Sequence, residues 1–356
     1  MRIAVTGICG FAGSRLARRL LQSLDGAVIC GLDNLCRPGS EINRLQLPSL
    51  GIRVYHGDAR MASDFDALPE VDWVIDAAAN PSVLAGVDGR TSSRQLVEHN
   101  LLGTLNVLEY AKRCRAGFVL LSSSRVYSIP PLASLPVRPV GAAYSLDTTE
   151  FLPPGVTAEG LTEKFSTEAP VSLYGGTKLA SECLALEYSA AFGIPVWVNR
   201  CGVLAGAGQF GTAEQGIFSY WVHAHAAHQR LRYIGFGGYG WQVRDAFHPD
   251  DLADLVAKQI GRTSPGTRSI YNVGGGSGNS MSLAELTAWC DDRFGPHTPV
   301  ADLAPRPFDI PWLVMDAGLV RQEFDWRPMR SLTFILDEIA VHATQNPDWL
   351  SRCPAL

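Results

Sequence analysis

The chain opens on a short apolar and largely β-branched run, Arg2-Ile-Ala-Val-Thr6, followed by Gly7-Ile-Cys-Gly10-Phe-Ala-Gly13 and an amphipathic stretch. That order predicts a buried strand, a glycine turn and a helix. The alternation then repeats. Residues 27–32, 51–56 and 72–76 read as further strands, Gly117-Phe-Val-Leu-Leu121 as a fifth and Pro195-Val-Trp-Val-Asn199 as a sixth. Between them, 93–113 carries apolar residues at Leu96, Val97, Leu101, Leu105 and Leu108, which is helical spacing, and 174–192 reads as a second long helix. Strands alternating with crossover helices predict an α/β fold, a doubly wound parallel sheet. Beyond Arg200 the pattern loosens into Gly-rich turns, a helix over 218–230, short strands, and helices near 250–260, 283–294 and 332–343. Two units are therefore expected. A larger one spans 1–201 with a return segment at 245–275, where Tyr271-Asn-Val273 rejoins the sheet; a smaller substrate-binding C-terminal domain spans 202–356. Residues 128–172 form a long proline-rich, polar stretch, and a loop of that length is expected to help enclose a site.

The glycine turn carries the first chemistry. In G-x-x-G-x-x-G spacing, Gly7 permits the tight turn, Gly10 lets backbone approach a pyrophosphate, and Gly13 allows close packing of the helix, whose N-terminus offers unpaired N–H donors. An acidic residue, Asp33, ends the next strand, where its carboxylate can accept both adenosine ribose hydroxyls and repels a 2′-phosphate. This is a Rossmann-type dinucleotide site, read as NAD rather than NADP, with Arg37 keeping the alternative open. The strand end at Asp58 is expected near the adenine, and the small residues Ala77, Ala78 and Ala79 near the middle of the cofactor; tight packing under a helix is the other reading of the alanines.

Composition narrows the partners. A chain of 356 residues with 46% hydrophobic content can bury a sizeable core, and a formal charge of −5 gives no broad basic field for nucleic acid or an anionic membrane. No apolar run is long enough to span a bilayer, and a strand starting at residue 2 leaves no signal peptide, so a cytoplasmic protein is expected. The eight cysteines contain no C-x-x-C pair and read as reduced thiols. His223, His225 and His228 do not share one helix face, so no metal is expected.

Tyr174 and Lys178 stand four apart on a predicted helix and face the same way. An ammonium beside a phenol lowers the tyrosine pKa, which makes Tyr174 a candidate base, and the fifth strand delivers Ser122, Ser123 and Ser124 to the carboxyl edge of the sheet, where ligands bind. With these residues the chain resembles the extended short-chain dehydrogenase/reductase family of nucleotide-sugar epimerases and dehydratases. The resemblance runs through TGICGFAG, Asp33, GDAR at 57–60, DAAAN at 76–80, HNLLGTLNVLE at 99–109, LSSSRVY at 121–127 and YGGTK. It implies that Ser123 is catalytic, with Ser124 the runner-up, beside Tyr174 and Lys178. It also implies NAD contacts from Phe11, Ala12, Asn34, Ala59, Asn100 and Arg200 in addition to the residues above.

Within the family the chain looks most like the CDP-paratose 2-epimerases, through Cys9 in the turn, Gln209-Phe210 followed by Glu214-Gln-Gly216, and Gln242-Val-Arg-Asp-Ala-Phe-His248. That likeness implies substrate contacts from Asn80, Ser123, Gln209, Arg244 and Arg306, the arginines gripping a pyrophosphate. Three departures stand out: Ser128 replaces the usual glycine, the serine loop is one residue shorter, and Cys-Gly follows Arg200 where a tyrosine is usual. The family's 4,6-dehydratases carry an Asp-Glu pair after the catalytic threonine; here Arg125-Val126 takes that place, which argues against dehydration. The expectation is an NAD-dependent epimerase acting at C2 of a CDP-sugar through a transient keto-sugar. A 4-epimerase, a dehydrogenase or reductase on the same scaffold, and a non-catalytic NAD-binding sensor are the alternatives. The family resemblance further implies a homodimer built from the helices at 93–113 and 174–192.

Overall fold

A computed structural model describes residues 1–262 and 268–353. Seven parallel strands form the main sheet: β1 Arg2–Thr6, β2 Val28–Asp33, β3 Arg53–His56, β4 Trp73–Asp76, β5 Gly117–Ser123, β6 Val196–Cys201 and β7 Ile270–Val273. Their order across the sheet is β7-β6-β5-β4-β1-β2-β3, so the winding reverses between β1 and β4. Alternate residues of each strand enter opposite cores, as the two-residue period requires. Ile3, Val5, Ile75, Val119 and Trp197 face one, while Ala4, Val74, Phe118, Leu120 and Val198 face the other. β4 and β6 are buried along their whole length, the signature of a sheet covered on both faces.

Helices supply the covers. α1, Phe11–Ser23, turns Leu16 and Leu20 to the first core, where Leu252, Leu255 and Val256 of the later helix Pro249–Ile260 join them. α2, Gly103–Cys114, and α3, Ser172–Phe192, cover the opposite face with Val107, Leu108, Ala111 and Ala185. The segment expected as one helix over 93–113 is interrupted by a π-helical turn at Glu98–Leu102, centred on Asn100. The helix expected over 218–230 ends earlier, at Ala226, because His228 adopts a left-handed backbone with φ of +50°.

The later chain divides its residues between two places. Val203–Leu204, Val243–Phe247, Ser280–Ser282 and Trp312–Leu313 make a second sheet, and helices Ile217–Ala226, Leu283–Phe294 and Leu332–Gln345 share a separate core beside it. β7, from the 245–275 segment, pairs with β6 in the main sheet, and Val320, Phe324 and Trp326, which the sequence pattern puts in the smaller unit, pack into the first core.

Residues 128–172 differ from the expected site cover. They fold into a short helix, Ile129–Ala133, and the hairpins 137–146 and 156–161. Their apolar side chains, Leu132, Leu135, Leu146, Leu161 and Phe165, pack against Val243, Trp312 and Met315, and none of the segment lines the cleft. A proline-rich composition marked an irregular path here, and the buried leucines fixed it to the second sheet.

Candidate functional site

A cavity of about 660 Å³ runs along the carboxyl edge of the main sheet and under the second sheet. Its first half lies at the point where the strand order reverses, which is where open parallel sheets bind ligands. Gly7 forms the floor with φ of +63°, and a Cβ there would stand 2.9 Å from Ala78 Cα and 3.1 Å from Ala77 O. The glycine turn and the alanine strand end are thus packed on each other, while Phe11, Ala12, Gly13 and Ala77–Ala79 still line the cavity. The first-turn amides of α1 have no partner within the helix and face this space.

Asp33 closes the far end. Its carboxylate accepts from Cys9 N at 2.8 Å and Leu35 N at 2.8 Å; burial pushes its pKa up, and these backbone donors oppose the shift. Asn34, Asp58 and Ala59 stand beside it on the cavity wall. Arg60 grips Asp58 at 2.6 Å, and those hydrogen bonds hold the Asp58 carboxyl well below the usual range despite partial burial. Arg37 also lines the cavity, but its guanidinium donates to the Phe210 carbonyl.

The catalytic candidates meet at the middle. Ser123, Ser124, Tyr174 and Lys178 all line the cavity, and the Ser123 hydroxyl lies against the Tyr174 phenol. Burial raises the phenol to about 12, while the Ser123 hydrogen bond and the Arg125 charge pull it down. The Lys178 pKa is lowered mainly by burial, against the pull of Asp76, Cys201 and Glu182. Gly175 is required by this arrangement, because a Cβ would come within 2.3 Å of the Arg125 carbonyl oxygen. With Ser123 at the phenol, the two positions that follow it are Ser124 and Arg125, rather than Arg125 and Val126, and neither is an acid.

Two expected cofactor contacts lie outside the cleft. Arg200 is buried beneath it, with Nη2 2.7 Å from Glu182 Oε2 and Nε 3.1 Å from Glu182 Oε1, so its guanidinium has no free face for a ligand. Asn100 is fully buried; it accepts from Asn80 N at 2.7 Å and donates to Asn80 O and Thr177 Oγ1, both at 3.1 Å. It holds the Asn80 loop, itself on the cavity wall, against the helix that carries Tyr174 and Lys178. Both residues carry hydrogen-bonding groups that suit a ligand as well as a scaffold, and spacing alone does not separate the two uses.

The second half of the cavity is walled by Gln209, Gln242, Arg244, Arg306, Phe308 and Asp309. Arg244 donates to Val243 O at 2.7 Å, Ile310 O at 2.9 Å and Asp309 Oδ1 at 3.2 Å, and Arg306 donates to Ala213 O at 3.2 Å. Phe308, Asp309 and Arg125 were missed as cavity residues. No motif marks the first two, since they arrive on an irregular segment in which Phe308 has φ of +59°. Among the described residues no three His, Cys, Asp or Glu side chains are grouped to hold a metal; His223 turns to Ser219 O and His342, and His225 to Asp291.

These residues fit a dinucleotide. A glycine turn packed too closely on Ala77 and Ala78 to admit a side chain, unpaired amides at a helix start and a strand-end carboxylate are the three features a pyrophosphate and a ribose need. Asp33→Asn keeps the shape and removes the charge. It should weaken NAD binding about tenfold or more and move the preference toward NADP, as read by calorimetry with each cofactor. Tighter binding of NADP by the unmodified protein would contradict this assignment.

Comparison with known proteins agrees with the geometry. The model of the NAD dependent epimerase/dehydratase family matches residues 3–274. CDP-paratose 2-epimerase of Salmonella typhi is 28% identical over 336 residues, 92% of this chain and 95% of that one. dTDP-glucose 4,6-dehydratase of Streptomyces antibioticus is 30% identical over 341 residues, 93% of this chain and 88% of that one. The fold matches that of UDP-glucuronic acid 4-epimerase from Bacillus cereus, a structure in complex with UDP-glucuronic acid and NAD, with a TM-score of 0.77, 22% identity and coverage of 97% and 99% of the two chains. With the turn, the strand-end carboxylate and the Ser/Tyr/Lys set in one cleft, the chain belongs to the NAD dependent epimerase/dehydratase family, and its cofactor is NAD.

Proposed function

We propose that this protein is an epimerase that inverts C2 of a CDP-linked sugar through a transient keto-sugar. The observation that carries the reading is the set of groups around Tyr174: a phenol, a serine hydroxyl, and a guanidinium where an eliminating enzyme needs an acid. Dehydration requires a proton donor for the departing hydroxyl, and neither Ser124 nor Arg125 supplies one at neutral pH. CDP and C2 are supported by the likeness to the Salmonella typhi epimerase. The same scaffold serves 4-epimerases, which is the second reading.

In this proposal Tyr174 takes the proton of the reacting hydroxyl and later returns it, and Ser123 orients that hydroxyl through its own hydrogen bond. Lys178 and Asp33 are assigned to the two riboses of the cofactor, and the first turn of α1 to its pyrophosphate. Bound NAD supplies a reversible hydride acceptor. Arg244, Arg306 and Gln209 are assigned to the nucleotide of the substrate, and Asn80 to its sugar. An epimerase ends each cycle with its cofactor restored, so no net reduction of added NAD is expected, unlike in a dehydrogenase.

The proposal includes a homodimer. Val97 and Leu102, just before α2, and Leu173 and Phe192, at the two ends of α3, are exposed, and a second copy packed there as a four-helix bundle would cover them. It also includes a cytoplasmic location, supported by eight free cysteines. Among the described residues no helix is long and apolar enough to cross a membrane.

Tyr174→Phe should lower turnover about 10²- to 10⁴-fold while NAD binding is kept, and the rise of rate with pH that reports ionisation of the phenol should vanish. Unchanged turnover would remove Tyr174 from the mechanism. Light scattering should give twice the 38.5 kDa chain mass; a mass of one chain would remove the dimer.

A further inference from the structure

Arg125 stands at the junction of the two halves of the cavity. Its backbone is fixed on both sides: its N–H donates to Ser123 Oγ at 3.1 Å, and its carbonyl oxygen abuts Gly175, the residue after Tyr174. The guanidinium reaches across to the segment from the second sheet, where Nη1 donates to Phe308 O at 3.3 Å. Its charge acts with those of Arg244, Asp309 and Arg306 and with the Tyr174 phenol, all of which line the same cavity. A guanidinium has five N–H donors in a planar fork, and this one uses a single long bond to a neutral carbonyl. Among the described residues no carboxylate forms an ion pair with it. The nearby Asp309 is bound to Arg244 at 3.2 Å. Burial and the neighbouring Arg244 push its pKa down to about 10, which still leaves it charged at neutral pH. A half-buried guanidinium that lines the cavity and uses one of its five donors has the others free for an anion.

We infer that Arg125 is a substrate-contacting residue whose guanidinium binds an anionic oxygen of the substrate lying beside the reacting carbon. The inference rests on the reading of the cavity as a nucleotide-sugar site. Two parts of such a substrate carry the required oxygens, the phosphate joined to the sugar and a carboxylate on the sugar ring. The phosphate is the one that fits inversion at C2. It is attached at C1, so a single fork can serve it while Tyr174 serves the neighbouring carbon, whereas C4 lies across the ring. Arg125 would in this way select the carbon presented to Tyr174 as well as strengthen binding.

The test is calorimetry on the NAD-loaded protein, with cytidine diphosphate and a nucleoside-diphosphate uronic acid as the two probes. Arg125→Met should bind cytidine diphosphate about tenfold or more weakly than the unmodified protein, the loss expected for a charge-assisted hydrogen bond. An unchanged affinity for the diphosphate with a comparable loss for the uronic acid would support the contact and assign it to the carboxylate. No loss for either probe would overturn it. Arg125→Lys keeps the charge without the fork, and it carries the same comparison if the methionine variant does not retain NAD, with a loss of about threefold or more expected. Binding is read without turnover, so a protein that proves to invert another carbon leaves the result standing. Failure of the unmodified protein to bind any nucleoside diphosphate would overturn the substrate class and this contact together.

Discussion

Parallel strands impose the constraint on which the rest of the molecule depends. Each strand must be entered from the same end, so the chain crosses back over a face of the sheet between strands and every carboxyl end points the same way. In this chain that geometry carries the Gly7 turn, Asp33, Asp58, the 77–79 alanines, the Ser122–Ser124 run and Cys201 to one edge, although they are spread over two hundred residues. Reversal of the winding between β1 and β4 opens the edge, and the later segments cover it. The cofactor half of the cavity is thus a property of the sheet. The substrate half is a property of the second sheet's strand Val243–Phe247 and of the irregular segment around Phe308.

Beneath the edge lies a layer of buried polar groups that keeps the catalytic residues in place. Ser122 donates to Glu182 at 2.5 Å, Glu182 pairs with Arg200, and Tyr127 donates to Asn272, which in turn holds the backbone of Leu161. Asp76 accepts from Thr6 and Thr104, and Asn100 ties the Asn80 loop to Thr177. Breaking a buried ion pair such as Glu182–Arg200 by removing one partner costs about 3–5 kcal/mol, because the other charge stays in the interior. A layer so fully paired has few alternative arrangements. Ser123 and Tyr174 sit directly above it, so their mutual contact is inherited from its rigidity.

Much of this was legible in the residues. The two-residue period of the strands, the glycine turn and the four-residue step from Tyr174 to Lys178 are local patterns with one physical reading, and the sheet and the centre of the site follow from them. What stayed hidden depends on partners far along the chain. Arg200 and Asn100 carry groups that serve a ligand or a scaffold equally well, and only the presence of Glu182, or of Asn80 and Thr177, decides. The 128–172 stretch looked like a site cover because prolines reveal an irregular path but not the surface on which its leucines settle. Arg125 was visible as a departure from an acidic pair, yet the carbonyl that holds its guanidinium, Phe308 O, comes from a segment almost two hundred residues later.

The central claim is that a hydroxyl-bearing carbon is oxidised and reduced again within one closed site. Proton NMR of a CDP-sugar turned over in deuterated water tests it most directly. The account predicts inversion at C2 with no deuterium at that carbon, because the hydrogen that leaves it is the one that returns. Deuterium at the inverted carbon would show deprotonation and reprotonation by solvent, and would contradict both the keto-sugar route and the roles given to Ser123 and Tyr174.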